Sequence, residues 1–310
     1  MKKKVFIDGS AGTTGLRIYE RLSARADIQL LRLPEEQRKD IAARKQMLGE
    51  ADLVFLCLPD DAAREAVSLI ENDKVTVIDA STAHRTLPEW AYGFPELSAT
   101  HRQKILSSKR IAVPGCHASG FIALVYPLIQ AGILDKDSQL FCHSITGYSG
   151  GGKKMIGEYE DENVSELLGA PRQYGLTQQH KHLKEMKAVC GLENAPIFTP
   201  IVSNFYSGMT VTVPLFKEQL KKGSIEEIKA IYKAAYAGGL VQYKESVDEN
   251  GFISGAALSK KDNMWVSVAG NDERILLVAC YDNLGKGASG AAIECMNLTL
   301  GVEETTGLVV

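Results

Sequence analysis

Through roughly the first hundred positions, short apolar runs alternate with stretches of helix-like periodicity. Lys4–Ile7 predicts a strand, which gives way to a glycine turn and then to a helix pattern from Leu16 to Ala24. Ile28–Leu33 predicts a second strand and Arg38–Leu48 a second helix. Leu53–Leu58 is apolar throughout and closed by Pro59, so it reads as a strand buried on both faces. Asp60 and Asp61 then stand in the first turn of a helix reaching Ile70, where acidic side chains favour the dipole. Val75–Ile78 and Arg110–Val113 complete the set. Short apolar strands separated by helices predict a parallel sheet with right-handed crossovers.

Beyond about residue 135 the texture changes. Strand candidates at 139–146, 197–202, 209–215 and 264–282 follow one another with fewer helices between them, and the last reads as a hairpin turning at Asn271–Asp272. A helix opens at Ser224 with Glu227 three residues on, the spacing of a capping box. These signals predict an α+β domain on a mostly antiparallel sheet. The segment 285–301 is rich in small residues and predicts a closely packed helix returning to the first domain.

A chain of 310 residues has the length of about two domains. Its 35 basic and 38 acidic residues leave a net charge of −3, so the basic excess of a nucleic-acid groove is missing. In the opening MKKKVFIDGSAG, Asp8 interrupts the apolar run, which marks a strand rather than an export signal. The apolar stretch 120–134 contains Pro127 and is shorter than the roughly 20 residues that span a bilayer. No membrane partner is expected. The six cysteines are scattered without a CxxC pair, and no histidine–cysteine spacing suits a metal; neither a disulfide framework nor a metal site is expected.

Candidate chemistry begins at Gly9-Ser10-Ala11-Gly12-Thr13-Thr14-Gly15, between the first strand and the first helix. Glycines there let backbone amides approach a pyrophosphate, which the helix N-terminus attracts. The spacing is GxxGxxG rather than GxGxxG, and a βα turn without ligand has the same pattern. Past the second strand, where an acidic residue would hold the ribose of NAD, the chain carries Arg32, Arg38 and Lys39. They favour NADP, although a solvated charge run would look alike.

The sharpest feature is Pro114-Gly115-Cys116-His117-Ala118-Ser119-Gly120 at the start of a long apolar helix pattern. A cysteine at a helix N-terminus faces unpaired amides and the positive end of the dipole, which favour thiolate. Cys57, Cys142 and Cys280 lie inside strand patterns, where burial explains them. A cysteine nucleophile needs a proton-handling partner. His117 would point away from its neighbour on a helix, whereas His180 and His182 in QQHKHLKE stand out. Two residues on a helix are about 200° apart, so only one of that pair is expected to face the site.

PGCHASG, GSAGTTG, DASTAHR at 79–85, YGFPEL at 92–97, YSGGGK at 148–153, HKH at 180–182 and NLGKG at 283–287 together resemble N-acetyl-γ-glutamyl-phosphate reductase, in its shorter bacterial form within the aspartate-semialdehyde dehydrogenase superfamily. The resemblance runs through nearly the whole chain in order. It implies an α/β protein: a Rossmann-like parallel sheet with an inserted α+β catalytic domain. Residues 1–117 and 283–310 would form the dinucleotide-binding domain, and 118–282 the catalytic and oligomerisation domain. It implies a cytoplasmic, NADPH-dependent reduction of N-acetyl-glutamyl 5-phosphate through a thioester on Cys116, with His182 handling the proton. Gly9, Ser10, Gly12, Thr13, Thr14, Gly15, Arg32, Arg38 and Asn283 would contact the cofactor. Arg85, Ser149, Gly150 and His180 would contact the acyl-phosphate substrate. A homodimer or homotetramer is implied.

Three other readings use the same residues. The chemistry could act on aspartyl phosphate or an aminoadipyl homologue. A non-catalytic NADP-sensing regulator would have no use for the helix-start cysteine. A cysteine hydrolase would turn over without NADP. Phosphate-dependent NADP reduction by candidate aldehydes separates them.

Overall fold

A computed structural model describes residues 2–310. The chain divides into two compact units. The first takes the residues up to Pro95, then Ala99–Pro114 and Ala288–Leu308; the second takes Glu96–Ser98, Gly115–Gly287 and Val309–Val310.

In the first unit, Lys3–Asp8 (β1), Thr13–Ser23 (α1), Ile28–Leu31 (β2), Ile41–Glu50 (α2), Leu53–Leu56 (β3), Asp60–Ser68 (α3), Thr76–Asp79 (β4), Ala91–Tyr92 (β5), Ala99–Ser107 (α4) and Arg110–Ala112 (β6) follow in order. The strands form one parallel sheet in the order β2-β1-β3-β4-β6-β5. Alternate residues of each strand serve opposite faces. Val5, Ile7, Phe55 and Ile78 pack with Ile18 and Leu22 of α1 and with Ile293 and Met296 of the returning helix. Phe6, Val54, Leu56 and Val77 pack with Leu48, Ala63 and Ala66 on the other face. The strand order reverses at β1, so the turn after β1 lies at the switch point where such sheets bind ligands.

Several boundaries differ from the apolar pattern. The first helix opens at Thr13, three residues early, because Gly12 caps it and its first turn is polar. Strand β2 stops at Leu31, a short 3₁₀ turn covers Glu35–Gln37, and α2 starts at Ile41 because the Asp40 carboxylate accepts from the Ala43 amide at 2.7 Å. Arg32 and Arg38 therefore both lie in the connection. The two-residue β5 and the weakly amphipathic α4 carried no sequence signal.

In the second unit, Cys116–Gln130 (α5), Phe141–Gly147 (β7), Gly152–Tyr159 (α6), Arg172–Gln173 (β8), His182–Cys190 (α7), Ile197–Ser203 (β9), Met209–Phe216 (β10), Ile225–Ala235 (α8), Val241–Tyr243 (β11), Met264–Gly270 (β12) and Arg274–Tyr281 (β13) form the elements. The sheet order is β11-β12-β13-β10-β7-β9-β8. Its core pairings β12/β13, β13/β10 and β10/β7 are antiparallel, but β7/β9 and β11/β12 are parallel, so the sheet is mixed. Helix α5 is buried almost all round and packs on β10 and β13. The Tyr232 hydroxyl of α8 donates to the Leu124 carbonyl, and that of Tyr236, just past the helix, donates to the Ala123 carbonyl, which has no amide partner four residues on because Pro127 lacks the N–H. Ser224 accepts from the Glu227 amide, as the capping spacing predicts.

The segment 285–301 is not one regular helix. Gly285–Ser289 is wound as a π-helix in which the Asp282 carboxylate accepts from the Leu284 and Gly285 amides; Gly290–Leu300 (α9) continues as α-helix within the first unit. No helix among the described residues is long and apolar enough to cross a membrane.

Candidate active site

The glycine turn of the first unit is built for close approach. Gly9 has φ +88°, and a Cβ there would lie 2.3 Å from the Cys57 carbonyl oxygen. A Cβ on Gly15 would lie 2.4 Å from the Gly9 carbonyl oxygen. The Gly12 amide donates to that same oxygen at 3.0 Å, closing the turn. Gly12, as cap of α1, offers no side chain to the first-turn amides, and the Thr13 hydroxyl is buried with no hydrogen-bond partner. Unused donors at the start of an 11-residue helix, over a turn only glycine can make, fit a pyrophosphate. Ser10 and Thr14 stand in the same half-buried turn.

Beside it lies a cavity of about 500 Å³ lined by Gly9, Ser10, Tyr19, Arg32, Arg38 and Lys39, among others. The Arg32 guanidinium sits over the Tyr19 ring, 4.9 Å from its centroid. Arg38 is paired with Glu35, so part of its charge is already answered.

In the second unit, Cys116 is the first residue of α5 and is half-buried. Its carbonyl accepts from the Tyr281 hydroxyl at 2.6 Å, and the amide of the residue before it, Gly115, donates to Glu185 at 2.8 Å. A Cβ on Gly287 would stand 3.1 Å from the Cys116 Cβ, so the NLGKG segment passes directly against the cysteine. Cys142, Cys190, Cys280 and Cys295 are buried. Burial, with the Asp79 and Asp8 carboxylates behind it, pushes the Cys57 thiol up to about 12. Burial likewise takes Cys280 to about 11.

The histidines correct the helical expectation. His180 precedes α7, which begins only at His182, so the two are not on one helix and the 200° separation does not apply. Their ring centroids are 4.7 Å apart, and both lie about one ring from His117, at 6.0 and 5.6 Å. The His117 ring joins this cluster, with Nδ1 on the Ser144 hydroxyl and Nε2 on the Tyr174 hydroxyl, both at 2.7 Å. Burial first, and then the His180 charge, push His117 down to about 3, so it stays neutral. Burial lowers His180 as well.

The other expected residues also make contacts within the protein. Arg85 is 9% exposed; its Nε donates to the Val113 carbonyl at 2.8 Å and its Nη2 to the Ala80 carbonyl at 3.0 Å. Behind it the Asp79 carboxylate accepts from Ser81 and bonds His84, each at 2.6 Å, with His84 stacked on Trp90. Asn283 is spent within the second unit, its Nδ2 donating to the buried Ser149 hydroxyl at 3.0 Å and its Oδ1 accepting from the Gly208 amide at 2.9 Å. Gly150, next along, is exposed. Among the described residues no group of three or more His, Cys, Asp or Glu could hold a metal ion.

Sequence reasoning missed Glu185, Tyr281, Tyr174 and Ser144. Only Glu185 carried a readable signal, its three-residue spacing from His182. The rest are brought together by strand pairing and loops.

A glycine-turned parallel sheet in one unit and a helix-start cysteine beside clustered histidines in the other define a class. Residues 4–105 match the family model for the NAD binding domain of semialdehyde dehydrogenase, and residues 116–283 match that for its dimerisation domain. The fold recurs in aspartate semialdehyde dehydrogenase II of Vibrio cholerae, with TM-score 0.73 and 16% identity over 97% of this chain and 99% of that one. The enzyme of Candida albicans, solved with NADP, gives TM-score 0.65 at 14% identity, covering 97% of this chain and 99% of that one.

Closer relatives are sharper. The N-acetyl-γ-glutamyl-phosphate reductase of Rhizobium meliloti is 46% identical over 97% of this chain and 99% of its own length, and that of Brucella ovis is 44% identical over 97% and 100%. This chain belongs to the N-acetyl-γ-glutamyl-phosphate reductase family, as its motifs implied, and is an oxidoreductase.

Proposed function

We propose that this protein reduces the acyl phosphate of N-acetyl-glutamyl 5-phosphate to the semialdehyde with NADPH, releasing phosphate, as a step of arginine biosynthesis. Identity of 44–46% along 97% of the chain favours this substrate over aspartyl phosphate, since the aspartate enzymes share only the fold. Cys116 at the open end of α5, beside a histidine cluster, is the observation that carries the mechanism.

The thiol proton of Cys116 passes to His182. The sulfur attacks the acyl carbon, the carbon–oxygen bond to phosphate breaks, and phosphate leaves with the electron pair and takes the proton from His182. A thioester on Cys116 remains. When bound at the glycine turn, NADPH supplies the hydride that reduces the thioester carbon. The resulting alkoxide collapses, the carbon–sulfur bond breaks, and the aldehyde departs from a regenerated Cys116 thiolate. Gly9, Ser10, Gly12, Thr13, Thr14 and Gly15 would hold the pyrophosphate, and Arg32 with Arg38 the extra phosphate of NADPH. His180, Ser149 and Gly150 would bind the anionic substrate. Arg85 would join them in binding the substrate, and Asn283 would contact the cofactor, each while bonded to its neighbours in the fold.

The residues up to 117 and from 283 would form the cofactor domain, and 118–282 the inserted catalytic one. Because 116–283 matches a dimerisation domain, a homodimer or homotetramer is the working assembly, acting in the cytoplasm.

The test is NADP reduction with phosphate and three aldehydes, the semialdehydes of N-acetyl-glutamate, aspartate and N-acetyl-aminoadipate. The first should react fastest, and Cys116→Ser should lose at least about a thousandfold in turnover. Preference for aspartate semialdehyde would move the substrate assignment; a serine variant above a tenth of wild-type rate would remove Cys116 as nucleophile.

A further inference from the structure

Asp8 closes β1 immediately before the glycine turn, and it is buried. Strand alternation puts its side chain on the same face as Phe6, which packs with Leu48 of α2. The buried Arg44 of α2 meets it there: Nε and Nη2 both donate to Asp8 Oδ2, at 3.1 and 2.9 Å. Nη1 of the same guanidinium donates at 2.7 Å to Glu65 of α3, whose carboxylate is half exposed. Burial pushes the Asp8 carboxyl up while Arg44 pulls it back. Asp8 also lines the cavity that Arg32, Arg38 and Lys39 line. In a dinucleotide fold, an acid at the adenosine ribose ordinarily goes with the cofactor that lacks the extra phosphate. Here an acid stands in the cavity wall, on β1 rather than after β2, and Arg44 answers its charge.

We propose that the Asp8–Arg44 pair determines cofactor specificity, with Arg44 masking a carboxylate that would otherwise repel the extra phosphate of NADPH. The inference rests on the reading of this cavity as the seat of the adenosine end of NADPH. Masking matters for that phosphate alone. The pyrophosphate common to NADPH and NADH would sit at the start of α1, which packs on the opposite face of the sheet from Asp8 and α2. Taking away one partner of a buried pair leaves the other charge uncompensated, and an uncompensated like charge rejects a ligand. A mere brace between β1 and α2 would loosen the fold and weaken both cofactors alike.

The experiment titrates NADPH and NADH by fluorescence against the wild type, Arg44→Met, Asp8→Asn and the double variant, each as the full chain, with thermal unfolding alongside. The buffer is held at about pH 8.5, so that an Asp8 released from Arg44 ionises. Arg44→Met should weaken NADPH binding about 30-fold and NADH binding less than about threefold. Asp8→Asn should leave NADPH affinity within about threefold of wild type, and the double variant should recover it to within about fivefold, since no carboxylate is left to mask. Should Arg44→Met fail to fold, Arg44→Gln takes its place alone and in the double variant; it keeps a donor but no charge, and the same selective loss is expected. The inference is overturned if the Arg44 variant holds NADPH within about threefold of wild type, or loses both cofactors equally. It is also overturned if Asp8→Asn or the double variant loses as much NADPH affinity as the Arg44 variant. Equal affinity of the wild type for the two cofactors would remove the reading of the cavity itself. A wild type that prefers NADPH, with an Arg44 variant that still does, would remove only the masking role.

Discussion

The hydroxyl of Tyr281 bonds the backbone carbonyl of Cys116 at 2.6 Å while accepting from the Gly120 amide at 3.0 Å. An α-helix pairs those two backbone groups with each other, four residues apart. Tyr281 thus inserts an oxygen into the first turn of α5 and holds it open, as inserted side chains do elsewhere. Gly120 makes room, because a Cβ there would lie 2.6 Å from the hydroxyl. Burial, and after it the charge of Cys116, push the phenol well up, so it remains protonated and able to donate.

Removing that one oxygen should let the turn close on itself and shift the cysteine. Tyr281→Phe is expected to lower kcat about tenfold by misplacing the nucleophile, with a folded protein and an unchanged far-ultraviolet spectrum. Steady-state kinetics checks this; an unaltered kcat would mean the turn tolerates either geometry.

The neighbouring histidines must be told apart by titration, because both rings reach the same cluster. His182→Asn should cost roughly a hundredfold in turnover and abolish the limb that a titrating imidazole imposes on the pH–rate profile. His180, kept neutral by burial, should act as a hydrogen-bonding group, so His180→Asn should mainly raise KM. If the two patterns come out exchanged, His180 is the proton carrier.

Cofactor choice should depend on Arg32 more than on Arg38. Arg32 is held over Tyr19 at the cavity, whereas Glu35 already engages Arg38. With about 1.5–3 kcal/mol for a charge-assisted bond, Arg32→Ala should weaken NADPH binding by roughly tenfold to a hundredfold and NADH by less than about twofold. Arg38→Ala should have a smaller effect. Fluorescence titration of both cofactors measures these differences; equal wild-type affinities would refute a phosphate site.

Acid should unfold the protein through its buried histidines. His117 is driven down from 6.5 to about 3, and burial lowers His101 and His180 too. Above pH 6.5 these rings are neutral in both states and cost nothing. Below it the unfolded chain takes up protons that the native His117 refuses, so stability is lost as pH falls from 6.5 toward 3, at about 1.4 kcal/mol per pH unit for one such group. Urea unfolding at pH 7.5 and 5.5 should show that loss, and His117→Gln should flatten it; an equally steep His117→Gln profile would place the proton uptake elsewhere.

Where periodicity was strong, the elements were legible: the uniformly apolar β3, the Ser224 cap and the hairpin of β12 and β13 lie close to where the residues put them. Local geometry was legible too, since Gly9 and Gly15 sit in a turn that a Cβ would obstruct, and Cys116 opens a helix where its motif put one. What the sequence hid were relationships across distance. Nothing near Cys116 announces Glu185 or Tyr281, which lie far along the chain. The spacing of His180 and His182 misled because a two-residue interval means opposite faces only inside a helix, and α7 starts between them. The internal bonds of Arg85 and Asn283, to the Val113 carbonyl and from the Gly208 amide, were also hidden, because motifs do not show which distant backbone groups a side chain meets.

The returning helix α9 also sets a timetable. Ala291, Ile293, Cys295 and Met296 fill the face of the first sheet on which Val5, Ile7 and Phe55 lie, so that face stays incomplete until nearly the whole chain has left the ribosome. Residues 115–287 are continuous and can close while the earlier strands still wait. A stalled or truncated product would keep an apolar sheet surface uncovered, which exposes the N-terminal strands to chaperones and proteases throughout synthesis.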